Sequence, residues 1–96
     1  MMNDIDEYQE WTKTTIGYET KKEASLLYSG LIKTIGEMSG LAEKFYSGEG
    51  SYSSWTHDAK EKLGTIQWYL NRYADSMEWK MSDILEENIK MMEKKK

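Results

Sequence analysis

The sequence predicts an all-α fold, and three observations carry that prediction. Proline is absent, and glycine and serine are confined mostly to short stretches, so long uninterrupted helices are permitted. Apolar residues recur at spacings of three and four along most of the chain. No segment alternates apolar and polar residues over a useful length, which argues against strands. The 96 residues read as a single domain, 1–96. A chain of this size buries only about 60–65% of its unfolded surface, so a lone monomer is marginal. A partner subunit is therefore expected to complete the core.

Helices are expected over about residues 4–16, 21–46, 55–76 and 82–95. The first presents Ile5, Tyr8, Trp11 and Ile16 as a thin apolar side and opens with acids, which suit a helix N-terminus. A break follows at Gly17, after which Thr20 and Glu23 have the spacing of a capping box. The second helix has the most regular stripe, Ala24, Leu27, Leu31, Ile35, Met38, Ala42 and Phe45. Glycines and serines between Ser47 and Ser54 make the clearest loop, with Ser53 or Ser54 expected to cap the next helix. The third helix has the stripe Ala59, Leu63, Ile66, Leu70, Tyr73 and Met77. Ser82 is the expected cap of the fourth, whose apolar side holds Ile84, Leu85, Ile89 and Met92.

Composition excludes several functional classes. With no cysteine there is neither a disulfide framework nor a thiolate metal site, and a reducing, cytoplasmic setting is expected. A net charge of −4 argues against binding nucleic-acid polymers, and no apolar run is long enough to span a membrane. His57 has no second histidine beside it for a zinc site and reads as a surface residue. Gly48-Glu49-Gly50 lacks the lysine and hydroxyl of a phosphate-binding loop. Four Trp and seven Tyr against one Phe are unusual, since Trp and Tyr concentrate where a surface meets a partner or ligand.

Local rules break at three places. Asn88 interrupts the apolar side of the fourth helix, where a buried amide sets packing register or touches a ligand. Lys62, Thr65 and Tyr69 form one polar edge beside the third helix's stripe; Lys62 either snorkels or faces an anionic ligand. Glu37, Gly40 and Lys44 flank the second stripe, and glycines at 36 and 40 each cost a helix interior about 1 kcal/mol. Such glycines usually mark a close approach of another helix or of a ligand.

In order along the chain, Asp6-Glu7-Tyr8-Gln9, Gly36-Glu37-Met38-Ser39-Gly40-Leu41-Ala42-Glu43, Glu61-Lys62-Leu63-Gly64-Thr65-Ile66-Gln67-Trp68-Tyr69-Leu70 and Glu87-Asn88-Ile89 resemble MazG-like nucleotide pyrophosphohydrolases. The resemblance runs from about Asp6 to Lys95. It implies a four-helix bundle completed by dimerisation or tetramerisation, with a nucleotide held between helices. It also implies facing carboxylate pairs, at i and i+3 of two helices, that hold Mg²⁺. This chain departs from that pattern at the decisive positions. Glu37 matches the first carboxylate, but the other three fall on Gly40, Lys62 and Thr65. An ammonium offers only donors and a competing charge to a cation.

The reading this favours is a catalytically degenerate MazG-like protein that binds and holds a nucleotide or nucleotide-derived signal without hydrolysing it. Its expected ligand contacts are Glu37, Lys62, Thr65, Trp68, Tyr69 and Asn88, with no catalytic residue and no resident cofactor. A sequestering protein of phage type, in the host cytoplasm, fits this description. One alternative is a divalent-metal-dependent nucleoside triphosphate pyrophosphohydrolase, with Mg²⁺ held by Glu37 if by any residue. The other is a helical interaction module without a ligand.

Overall fold

The computed structural model describes residues 4–16 and 23–95, and all regular structure among them is helical. Helix α1 spans Ile5–Thr12 and runs into a 3₁₀ turn, Lys13–Thr15. Helices α2, α3 and α4 span Glu23–Tyr46, Tyr52–Ser76 and Met81–Lys94. The Thr20 capping position lies outside the described residues. None of the helices is long and apolar enough to cross a membrane.

Local chemistry sets the helix ends. Asp4 caps α1 by accepting the Glu7 amide at 2.8 Å. At the end of α2, Gly48 has φ +87, a left-handed conformation that glycine adopts without steric cost. This lets the Glu49 and Gly48 amides return to the Lys44 and Phe45 carbonyls. Ser51, rather than Ser53 or Ser54, caps α3, accepting the Ser54 amide at 3.1 Å. The helix therefore begins at Tyr52, earlier than its sequence pattern suggests. At the end of α3 the left-handed position falls on Glu78, with φ 61, and the Trp79 amide closes the turn on the Ala74 carbonyl at 2.9 Å.

The start of α4 corrects a second cap. Ser82 is not the cap residue; Lys80 stands there and offers no side-chain cap. Two side chains of α1, one turn apart, do the work instead. The Gln9 carboxamide donates to the Trp79 carbonyl at 2.8 Å and accepts from the Met81 amide at 2.9 Å. Asp6 accepts the Ser82 amide at 3.2 Å and the Ser82 hydroxyl at 2.7 Å. A carboxylate beside these amides also complements the positive end of the helix dipole.

Helices α2 and α3 form the main antiparallel pair, joined by the short loop at Gly48. Helix α1 crosses α3 near its C-terminal end, and α4 is anchored there by its first turn. The interior at this junction is polar. Thr12, Asn71 and Arg72 are buried, and Arg72 donates to Asp75 at 2.9 Å and to Thr12 at 3.4 Å. Among the described residues the buried apolar ones are few: Leu27, Ala59, Ala74 and Met81. Much of the periodic stripe lies outside. Leu63 is 56% exposed, Ile35 51% and Ile89 60%, and every residue from Asp83 to Lys95 is exposed. The radius of gyration, 15.8 Å, exceeds the roughly 12.5 Å of a compact chain of this length.

Two expectations follow from the α1–α4 junction. Gln9→Ala strands the buried Met81 amide and removes both bonds, so urea unfolding at fixed protein concentration should show a loss of about 2–4 kcal/mol. The Ser82 hydroxyl, then the Ser82 amide and the Lys80 charge, hold the Asp6 carboxyl below the ordinary carboxylate range, against partial burial. Because the folded pKa is depressed, this contribution is present above a pH of about 4 and is lost as pH falls through the folded value. Stability measured against pH should decline there, and Asp6→Asn should flatten that part of the decline.

Candidate functional site

The polar edges of α2 and α3 meet at one ion pair. Lys62 Nζ of α3 lies 3.2 Å from Glu37 Oε2 of α2, with both side chains partly exposed. The lysine therefore neither points freely into a cavity nor snorkels alone; it pairs with the carboxylate across the helix interface. Three residues further along each helix, at Gly40 and Thr65, there is no acid. A Cβ built on Gly40 would meet nothing within 4 Å, so Gly40 sits in open space. Thr65 is exposed and its hydroxyl donates to the Glu61 carbonyl at 3.0 Å.

This donor set does not fit a magnesium site. Mg²⁺ takes oxygen ligands in near-octahedral geometry, usually including one or two carboxylates. Here one carboxylate is present and an ammonium occupies its side. Glu61 offers no rescue, because its Oε1 faces His57 Nε2 at 2.9 Å. Those two residues and Asp58 bring donor atoms within 4.8 Å of one another on the surface of α3. The i, i+1, i+4 spacing of His57, Asp58 and Glu61 was a signal for that cluster. Counting histidines alone does not find it.

The remaining expected contacts disperse. Trp68 donates its indole N–H to Thr15 Oγ1 at 2.7 Å, tying α3 to the turn after α1. Its ring meets Tyr69 edge-on, with centroids 5.1 Å apart. Tyr69 lies against Gly30 of α2, where a Cβ would overlap the tyrosine ring. Close approach thus explains Gly30, whereas a Cβ at Gly36 or Gly40 would meet nothing within 4 Å among the described residues. Asn88 is exposed on α4 and lines a groove of about 480 Å³ whose other walls include Tyr28, Leu31, Leu70 and Tyr73. None of the other expected contacts lines that groove. The structure therefore brings Glu37 and Lys62 together and Trp68 and Tyr69 together, with Asn88 apart.

A second aromatic group lies at the loop end of the α2–α3 pair. Phe45 and Trp55 stack with centroids 4.7 Å apart, beside a hollow of about 340 Å³ edged by Lys44, Glu49 and Asp58. The sequence pattern places Phe45 in the stripe of α2, Tyr52 in the loop and Trp55 at the very start of α3, with nothing to pair the rings. The earlier Ser51 cap puts Tyr52 on the helix as well, one turn before Trp55.

If this edge lacks only its acids, supplying them should create a cation site. The triple variant Gly40→Glu, Lys62→Glu, Thr65→Asp is expected to gain Mn²⁺ binding by calorimetry, with none at that edge in the native chain. The room around Gly40 and the exposure of Thr65 make both additions sterically acceptable.

No family model matches the chain, no curated protein matches it, and no solved structure does.

Proposed function

We propose that the protein is a non-hydrolytic, MazG-like helical protein that assembles with itself and holds a nucleotide or nucleotide-derived molecule. The observation supporting this reading is the Glu37–Lys62 pair at 3.2 Å. In the resembling family the same positions would pool carboxylates around Mg²⁺. Here a fixed ammonium replaces the cation's charge and leaves no oxygen cage to activate water. On this reading Lys62 exchanges Glu37 for a ligand phosphate, and Thr65 adds a hydroxyl one turn away. Tyr69, a further turn along the same edge of α3, supplies a ring, and base stacking on an aromatic contributes about 1–3 kcal/mol.

Calorimetry against mononucleotides, cyclic dinucleotides and ADP-ribose derivatives tests this. Binding without turnover is expected, and Lys62→Ala should weaken it roughly 10- to 100-fold, the size of one charged hydrogen bond. Silence across the panel with folded protein contradicts the reading. Pyrophosphate release from a nucleoside triphosphate with Mg²⁺ or Mn²⁺, abolished by Glu37→Ala, would establish the enzyme instead.

A specific observation favours a second reading, a helical interaction module without a small-molecule ligand. Lys62 already has its counter-charge, and Asn88 faces an apolar groove remote from it. Under that reading Lys62→Ala changes stability by no more than about 1 kcal/mol, the worth of an exposed ion pair, and alters no binding.

A further inference from the structure

We propose that the hollow at the loop end of the α2–α3 pair seats the base of the ligand, and that this base is guanine. The inference rests on the reading that Lys62 holds a phosphate, and it adds which nucleotide is held and where its base lies.

Helix register places the hollow beside the phosphate position. The two helices run antiparallel, with Lys62 Nζ 3.2 Å from Glu37 and Phe45 stacked on Trp55 nearer the loop. Between those contacts lie Leu41, four residues after Glu37, and Asp58, four residues before Lys62, and both line the hollow. Residues four apart share a helix face, so the ion pair and the hollow follow one seam. At 1.5 Å of rise per residue, Asp58 is about 6 Å and Trp55 about 10 Å along α3 from Lys62. A ribose joining phosphate to base covers that interval. Tyr69 lies on the opposite side of Lys62. A ligand with one base therefore fills the hollow, and one with a base on each side of its phosphate reaches Tyr69 as well.

The hollow has the walls a base requires. Its volume, about 340 Å³, is that of a small-molecule site, and the partly exposed Phe45 and Trp55 rings form one side. Stacking on such rings accepts any base, so it supplies affinity without choice.

Charge makes the choice. Asp58 is half-buried and has no hydrogen bond or ion pair among the described residues. His57 and Glu61, its neighbours on α3, pair with each other at 2.9 Å instead. Lys44, at the same hollow, also lacks a counter-charge among the described residues. A partly buried carboxylate without donors carries a desolvation cost that a donor-bearing ligand removes. An ionised carboxylate only accepts, and its two oxygens suit two parallel donors. Guanine presents that pair, N1–H and the 2-amino group, on one edge. Adenine and cytosine each set a single amino group beside a ring-nitrogen acceptor, and uracil flanks its one N–H with two carbonyls. Guanine O6 and N7 are acceptors, the groups a lysine ammonium contacts. An unpaired acid and an unpaired lysine at one aromatic hollow thus match guanine's donor edge and acceptor edge together.

Calorimetry and tryptophan fluorescence on the full chain, with GMP, IMP, AMP, CMP and UMP as probes, test the assignment. GMP should bind at least about tenfold more tightly than IMP, which lacks only the 2-amino group and so one charged hydrogen bond. Asp58→Asn should bring GMP to the level of IMP, with an unchanged circular-dichroism spectrum showing that the variant folds. Trp55→Phe keeps a ring, so it should still bind GMP while losing part of the fluorescence quench seen in the native chain. Equal affinity for all five nucleotides would overturn the guanine seat and leave the phosphate reading standing. A GMP preference that survives Asp58→Asn would overturn it too, because the base would then be read elsewhere. Silence toward all five, with folded protein, would remove both readings.

Discussion

The position of α4 depends on one polar clamp, the Gln9 carboxamide between the Trp79 carbonyl and the Met81 amide. A helix start leaves amides without intrahelical acceptors, and α4 has no cap of its own to supply them. Helix α1 supplies them from one face, through Asp6 and Gln9. Arg72, Thr12 and Asp75 extend the same junction inward and hold α1 against α3. The clamp fixes where α4 starts and how it leaves the junction. From Asp83 onward, every described residue of α4 is exposed.

That arrangement decides what the rest of the chain can do. With polar groups filling the junction, the apolar stripes of α2 and α3 are only partly used against each other. Their outer members and the apolar side of α4 frame a common groove. Hydrophobic stabilisation scales with apolar area removed from water, so a fold that leaves these stripes open has most of that gain still available. Under the proposed self-assembly, association and folding are one process. The Glu37–Lys62 ion pair sits on the α2–α3 pair, outside the groove, so the proposed ligand and the proposed second copy do not compete for the same residues.

The helical character of the chain was legible because periodicity reports that a face is apolar. It does not report what covers that face. Leu63, Leu70, Tyr73 and Met77 keep perfect helical spacing and are exposed, while Asn71, Arg72 and Ala74 of the same helix are buried. The α4 cap was illegible for a related reason: its acceptors are Asp6 and Gln9, more than seventy residues away. Within the candidate site, sequence placed Glu37 beside α2's stripe and Lys62 beside α3's, and packing of those stripes brings the two together. Asn88 could not be placed in the same way, because the face it interrupts is exposed and only edges a groove. Of the described glycines, position 30 alone is explained by a side-chain contact, and its partner Tyr69 was visible solely as a polar-edge residue.

The central claim is that this chain completes its core between copies rather than within one. Its most direct test is the urea unfolding midpoint measured over a wide range of protein concentration. Coupled folding and association require the midpoint to rise as protein is added, by mass action. A midpoint independent of concentration, in a chain that unfolds reversibly, would show that the monomer is stable alone and would contradict the account.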